Sequence, residues 1–141
     1  MPGHGRGRSI SRRHAPITNE PDAALRRKAI EELWTEGGAH ILQPPAELRQ
    51  VAAGLGFTSA GLEARGHDEL QARVTRAWEE FVAPGTFTFR SRDNADGLRN
   101  VVKFNWEMVP LGGGEATAVG LEILVLGPDG RIEADYQFIE S

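Results

Sequence analysis

The sequence predicts an α+β fold: a curved antiparallel sheet wrapped around helices to form a cone-shaped α+β barrel. Three observations carry this. Helical spacing of apolar residues is confined to the first 82 positions. Strand-like alternation occupies residues 86–139. Gly127-Pro128-Asp129-Gly130 joins two long apolar runs as a hairpin would. At 141 residues, 40% of them hydrophobic and 26% charged, the chain has room for one domain with one core.

Residues 1–20 read MPGHGRGRSISRRHAPITNE, and Ile10 and Ile17 are their sole bulky apolar residues after Met1. The composition predicts a basic flexible arm over 1–19, followed by a single domain over 20–141. Arg6, Arg8, Arg12 and Arg13 give the first fourteen residues a charge of +4, while the whole chain carries −4. The body is therefore strongly acidic, and nucleic acid is not an expected partner, a contact by the arm being the one route left. No apolar run approaches the ~18 residues of a membrane span, and the apolar core of a secretory signal is missing. A cytoplasmic location is expected. The absence of cysteine removes disulfide scaffolds, thiol catalysis and zinc–thiolate sites.

A helix is expected from about Asp22 to Glu36, with Asn19 as its cap and Pro21 in the first turn. Leu25, Ala29, Ile30, Leu33 and Trp34 form its apolar face, and Gly37-Gly38 ends it. Residues 39–43 form a short strand stopped by Pro44-Pro45. A second helix covers about Ala46–Ala53, and a Gly-rich connection covers 54–66. A third runs from about His67 to Val82, capped by His67-Asp68, with Leu70, Val74, Trp78 and Phe81 as its stripe.

Strands are expected at 86–92, 101–109, 116–126 and 132–139. Val102, Phe104, Trp106 and Met108 share one face of the second. The third is apolar on both faces and must be central. One face packs on the helices, and a second copy of the chain is the economical cover for the other. The expected assembly is a homodimer through the sheet.

Serine-hydrolase elbows, HExxH and phosphate-binding loops are absent, and the four histidines show no metal-ligand spacing. No metal and no cofactor are expected. What remains is a few polar groups on apolar strands. Glu122 shares a face with Ala118, Gly120, Leu124 and Leu126. Burial there would raise its pKa and poise it as a proton carrier, with room for a ligand beside the small residues. The competing reading pairs Glu122 with a neighbouring strand or across a dimer interface. His40 is a candidate acid/base, against a satisfied histidine at a rim. Gln43 is a candidate hydrogen-bond donor to a ligand. Trp78, Phe104 and Trp106 are candidate pocket walls or plain core. Gln137 and Tyr136 lie on opposite faces of the last strand. Counting does not decide which face looks inward, so both are candidates.

Four segments, ELWTEGGAHILQPP (32–45), ARGHDELQARV (64–74), NVVKFNWEMVP (100–110) and GLEILVLGPDGRIEADYQFIE (120–140), resemble in order and spacing the nuclear transport factor 2-like superfamily, SnoaL-like branch. The resemblance spans residues 20–141. It implies a cone whose mouth binds a small apolar or aromatic molecule, usually in a homodimer. It also implies a choice between acid/base lyase, isomerase or cyclase chemistry and a binding or interaction module with no chemistry of its own. The position of the ketosteroid isomerase base looks like Gln43, which takes no proton, whereas the oxyanion carboxylic acid falls near Glu122. The aspartate of limonene epoxide hydrolases falls at Gln137. A polyketide-cyclase carboxylate would be supplied by Glu122.

Overall fold

The computed structural model describes residues 2–44, 46, 50, 54 and 62–140. Its frame is one seven-stranded sheet in the order β2-β1-β7-β6-β5-β3, with β4 pairing β5. The strands are β1 (Trp34–Leu42), β2 (Leu62–Arg65), β3 (Phe87–Ser91), β4 (Asp96–Leu98), β5 (Val101–Pro110), β6 (Ala118–Leu126) and β7 (Ile132–Ile139). Among the described residues, helices α1 (Pro2–His14), α2 (Ala23–Leu33) and α3 (Gly66–Ala77) accompany the sheet, with a 3-10 turn at Ala15–Asn19 and a π turn at Trp78–Val82. The architecture is α+β, as expected. The sheet is open and mixed rather than wholly antiparallel, because β1 runs parallel to β7.

The first nineteen residues depart most from expectation. The flexible arm is instead α1 and the 3-10 turn, with Ile10, Ser11, His14, Ala15 and Ile17 buried. Ile10 and His14 are four apart and share a helix face, so one turn delivers both to the interior. Gly7 allows close approach to β5, since a Cβ there would lie 3.3 Å from Val102. Arg12 closes the packing outside with two 2.9 Å hydrogen bonds to Asp93. Asn19 is no helix cap. Its amide donates to the Phe89 carbonyl and its Oδ1 accepts the Phe89 N–H, so it mimics a strand beside β3.

Asp22 caps α2, its carboxylate accepting the N–H groups of Ala24 (2.8 Å) and Leu25 (3.1 Å). The chain leaves the helix at Trp34, before the Gly37-Gly38 pair, and β1 runs through both glycines. Gly38 is required by proximity: a Cβ would stand 2.8 Å from the Ile132 carbonyl oxygen. The expected helix at 46–53 lies largely outside the described residues. The expected connection contains β2, and the strand β4 was not anticipated. At the start of α3, Glu69 reaches back to the Arg65 N–H, while Asp68 pairs with Arg27 rather than capping.

The core lies between the concave face of the sheet and the three helices. Ile30, Leu33, Trp34, Leu70, Val102, Phe104, Leu124 and Ile132 are nearly or fully buried there. Burial of each large apolar side chain contributes about 1.5–3 kcal/mol.

Candidate functional site

Inside the cone is a cavity of about 690 Å³. Leu70, Val74, Phe81, Phe89, Trp106 and Met108 make its walls largely apolar. A row of polar side chains crosses its floor. His40 comes from β1, Gln137 from β7 and Glu122 from β6, with the fully buried Asp135 of β7 beside them but outside the cavity lining. The register pairs Glu122 with Gln137 and Leu124 with Asp135.

At one end of this row stand His14, Glu122, Asp135 and Trp106. Glu122 is 1% exposed and Asp135 is 0%. Trp106 donates its indole N–H to Glu122 Oε1 at 3.0 Å. His14 Nε2 donates to Asp135 Oδ2 at 2.5 Å and lies 3.9 Å from Glu122 Oε2. Three buried polar atoms of this cluster keep no partner among the described residues: His14 Nδ1, Glu122 Oε2 and Asp135 Oδ1. Burial drives the Glu122 carboxyl well above the usual range, reinforced by the charge of Asp135 and opposed by the Trp106 hydrogen bond. Burial also works to raise Asp135. The neighbouring His14 and Glu122 overcome it and hold that carboxyl below the usual range. The neighbouring acids are thus pushed in opposite directions, Glu122 toward keeping its proton and Asp135 toward losing it.

His14, Glu122 and Asp135 are also a group of three close enough together to surround a metal ion. The 2.5 Å contact argues for a proton instead. Two donor atoms about 2.0–2.2 Å from one zinc ion at tetrahedral angles stand farther apart than that.

At the other end, Arg73 from α3 donates through Nη1 to His40 Nδ1 (2.9 Å), the His40 carbonyl (3.0 Å) and the Leu62 carbonyl (3.1 Å). His40 Nδ1 is therefore the acceptor, so Nε2 carries the proton and donates to Gln137 Oε1 at 2.7 Å. Burial lowers the His40 pKa, with Asp135 opposing and Arg73 assisting. The imidazole is neutral, with both nitrogens engaged.

No protein-family model and no curated protein matches the chain. Solved structures do. It is similar to a candidate isomerase of the SnoaL-like family from Agrobacterium tumefaciens, at 21% identity over 97% of this chain and 99% of that one, with a TM-score of 0.76. This is the SnoaL-like fold. A SnoaL-like protein of unknown function from Burkholderia thailandensis matches at 17% identity over 97% of each chain, TM-score 0.66. A nuclear transport factor 2-like protein of unknown function from Mesorhizobium loti matches at 16% identity over 97% of this chain and 93% of that one, TM-score 0.61.

Within the SnoaL-like cone, Glu122, His40, Gln43, Gln137 and Trp106 all line the cavity. Gln43 sits at its edge, its Oε1 accepting the Ile139 N–H. Three expected site residues lie elsewhere. Tyr136 is 41% exposed on the outer face of β7. Phe104 is buried behind the site, its ring edge against His14 at 5.4 Å. Trp78 lies beneath the Arg26 guanidinium, 4.7 Å from its ring centroid, so it braces α2 against the π turn. Conversely, His14 and Asp135 complete the polar cluster and Arg73 lines the wall; Asp135 shares the Gln137 face of the last strand, and the sequence reading missed His14 and Arg73. The spacing of Ile10, His14 and Ile17 was the available signal for the first. No helix among the described residues is long and apolar enough to cross a membrane.

Proposed function

We propose that the chain binds a small, largely apolar molecule in this cavity and moves a proton on it, as an isomerase, lyase or cyclase does. One observation carries the reading: two adjacent buried carboxyl groups, pushed toward opposite protonation states, stand beside a histidine whose Nδ1 has no partner among the described residues. Asp135 orients His14 through Nε2 and leaves Nδ1 to take a proton from carbon. Glu122, neutral, offers its O–H to the substrate oxygen on which charge develops. Return of the proton from Nδ1 to a different carbon completes an isomerisation with nothing gained or lost. A volume of about 690 Å³ suits a ligand of two or three rings.

The direct test is exchange of α-protons for deuterium in polycyclic ketones, followed by NMR, after a thermal-shift screen selects binders. His14→Gln is expected to slow exchange by about 10²–10⁴-fold with the fold intact. An unchanged rate would remove the role given to His14.

A second reading is a non-catalytic homodimeric binding module. It is favoured by the Trp106 bond to Glu122, which satisfies the carboxyl in part within the protein. It expects ligand-induced stabilisation without exchange in the wild-type protein. In either reading the dimer uses the outer sheet face in the cytoplasm. There Leu121, Ile123 and Val125 are half-buried and Tyr136 and Phe138 are exposed. Sedimentation of Phe138→Glu as a monomer, against a wild-type dimer, checks this.

A further inference from the structure

Among the arginines of the described residues, Arg73 alone lines the cavity. Arg12, Arg27, Arg65, Arg76, Arg90, Arg92 and Arg131 each meet a carboxylate within 4 Å. Arg26 is spent on the Glu20 carbonyl and the Trp78 ring. Arg73 lines the cavity, yet among the described residues it has no carboxylate partner. Its Nη1 is held by the His40 imidazole and two backbone carbonyls, which fix the guanidinium on the wall. Nε and Nη2 meet no acceptor among the described residues.

Those two nitrogens form one edge of the guanidinium, the edge that grips a carboxylate with parallel hydrogen bonds. The surroundings add to the demand. His40 is neutral, and Asp135 is already answered by His14. A purely apolar ligand would strip water from the cation and return nothing. At the same end, Gln43 uses its Oε1 on Ile139 and keeps its amide N–H groups to offer.

We propose that Arg73 anchors an acidic group, so the cavity selects an organic carboxylate with an apolar body over the matching neutral molecule. This rests on reading the cavity as the ligand site. The carboxylate would sit at the Arg73 end, and the apolar body would extend across the floor toward Trp106 and Glu122.

The test uses matched pairs, benzoate with benzamide and 1-naphthoate with 1-naphthamide, titrated calorimetrically into the full chain. The wild-type protein is expected to prefer each acid by about tenfold or more. Arg73→Gln should erase the preference while leaving amide affinity within twofold, which also reports that the cavity is intact. If that variant fails to fold, Arg73→Lys keeps a charge but loses the planar fork and should show a reduced preference. Equal wild-type binding of acid and amide overturns the acid selectivity and leaves the pocket standing. Binding of neither member of either pair overturns both. A preference that survives Arg73→Gln overturns the assignment to Arg73.

Discussion

The two ends of the cavity bury polar groups by different means. At the closed end, His14, Asp135, Glu122 and Trp106 answer one another with short contacts and a retained proton. At the other, Arg73 and His40 lean on backbone carbonyls and Gln137, and a cation keeps half its donors open. The difference separates two tasks. A set of groups that satisfies its own charges can hold a proton in a chosen place. A set left short by one anion can choose what enters.

The largest expected effect tests that contrast directly. Asp135→Ala strands the His14 Nε2–H in a buried space with no acceptor. Losing a buried hydrogen bond to a charged group of this kind costs about 1.5–3 kcal/mol, read from urea unfolding at neutral pH. Arg73→Gln loses the Nη1 hydrogen bonds to the His40 ring and two carbonyls, at a half-exposed site that water can reach, and should cost under about 1.5 kcal/mol. Equal losses would break the comparison.

The pH dependence sharpens it further. Glu122 holds its proton above its ordinary value of 4.5 when folded. Between that value and its raised pKa the native state binds more protons than the unfolded chain, so this group makes stability fall as pH rises. Asp135 acts in the opposite sense, its contribution present above 3.8 and lost as pH falls through its depressed pKa. Glu122→Gln removes only the first effect. Its stability relative to wild type should climb as pH rises from 4.5, and a flat difference across pH 4–8 would show Glu122 to be ionised in the folded protein.

A smaller effect is expected at Gly120. A Cβ there would lie 2.1 Å from the Trp106 ring. The glycine is what lets the indole lie across β6 and reach Glu122. Gly120→Ala should cost about 1–3 kcal/mol by overpacking. It should also shift Trp106 fluorescence as the hydrogen bond to Glu122 is lost.

Much of this site was open to reading because β5 alternates cleanly, which marks Trp106 as inward, and because Glu122 is the single charged residue in the apolar run of β6. The ambiguity in β7 has a physical source. Leu126 pairs with Ile132, and a regular hairpin continued from there would set Glu122 opposite Tyr136. A bulge between Val125 and Leu126 adds one residue and sets Glu122 opposite Gln137 instead. One residue of slip reverses every side chain, so Asp135 turns inward and Tyr136 outward. Helix α1 was hidden for another reason. Its glycines and arginines have the composition of a loose arm, and tertiary contacts of Ile10 and His14 override that weak local preference. Gly37-Gly38 misled in the same way, since a pair that reads as a helix stop serves a close strand approach.

The smallest effect is expected where the sequence suggested a pocket wall and the structure offers a brace. Trp78 does not line the cavity. Its ring carries the Arg26 guanidinium, whose Nη1 donates to the Glu20 carbonyl at 2.6 Å. Trp78→Phe keeps an aromatic face under the cation, and the weaker ring should cost about 0.5–1 kcal/mol. Naphthoate affinity should stay within twofold of wild type. Trp106→Phe, one wall away, should weaken the same ligand several-fold, because it removes both contact area and the donor that positions Glu122. A larger loss of affinity at Trp78 than at Trp106 would move the ligand out of the polar row and toward the π turn.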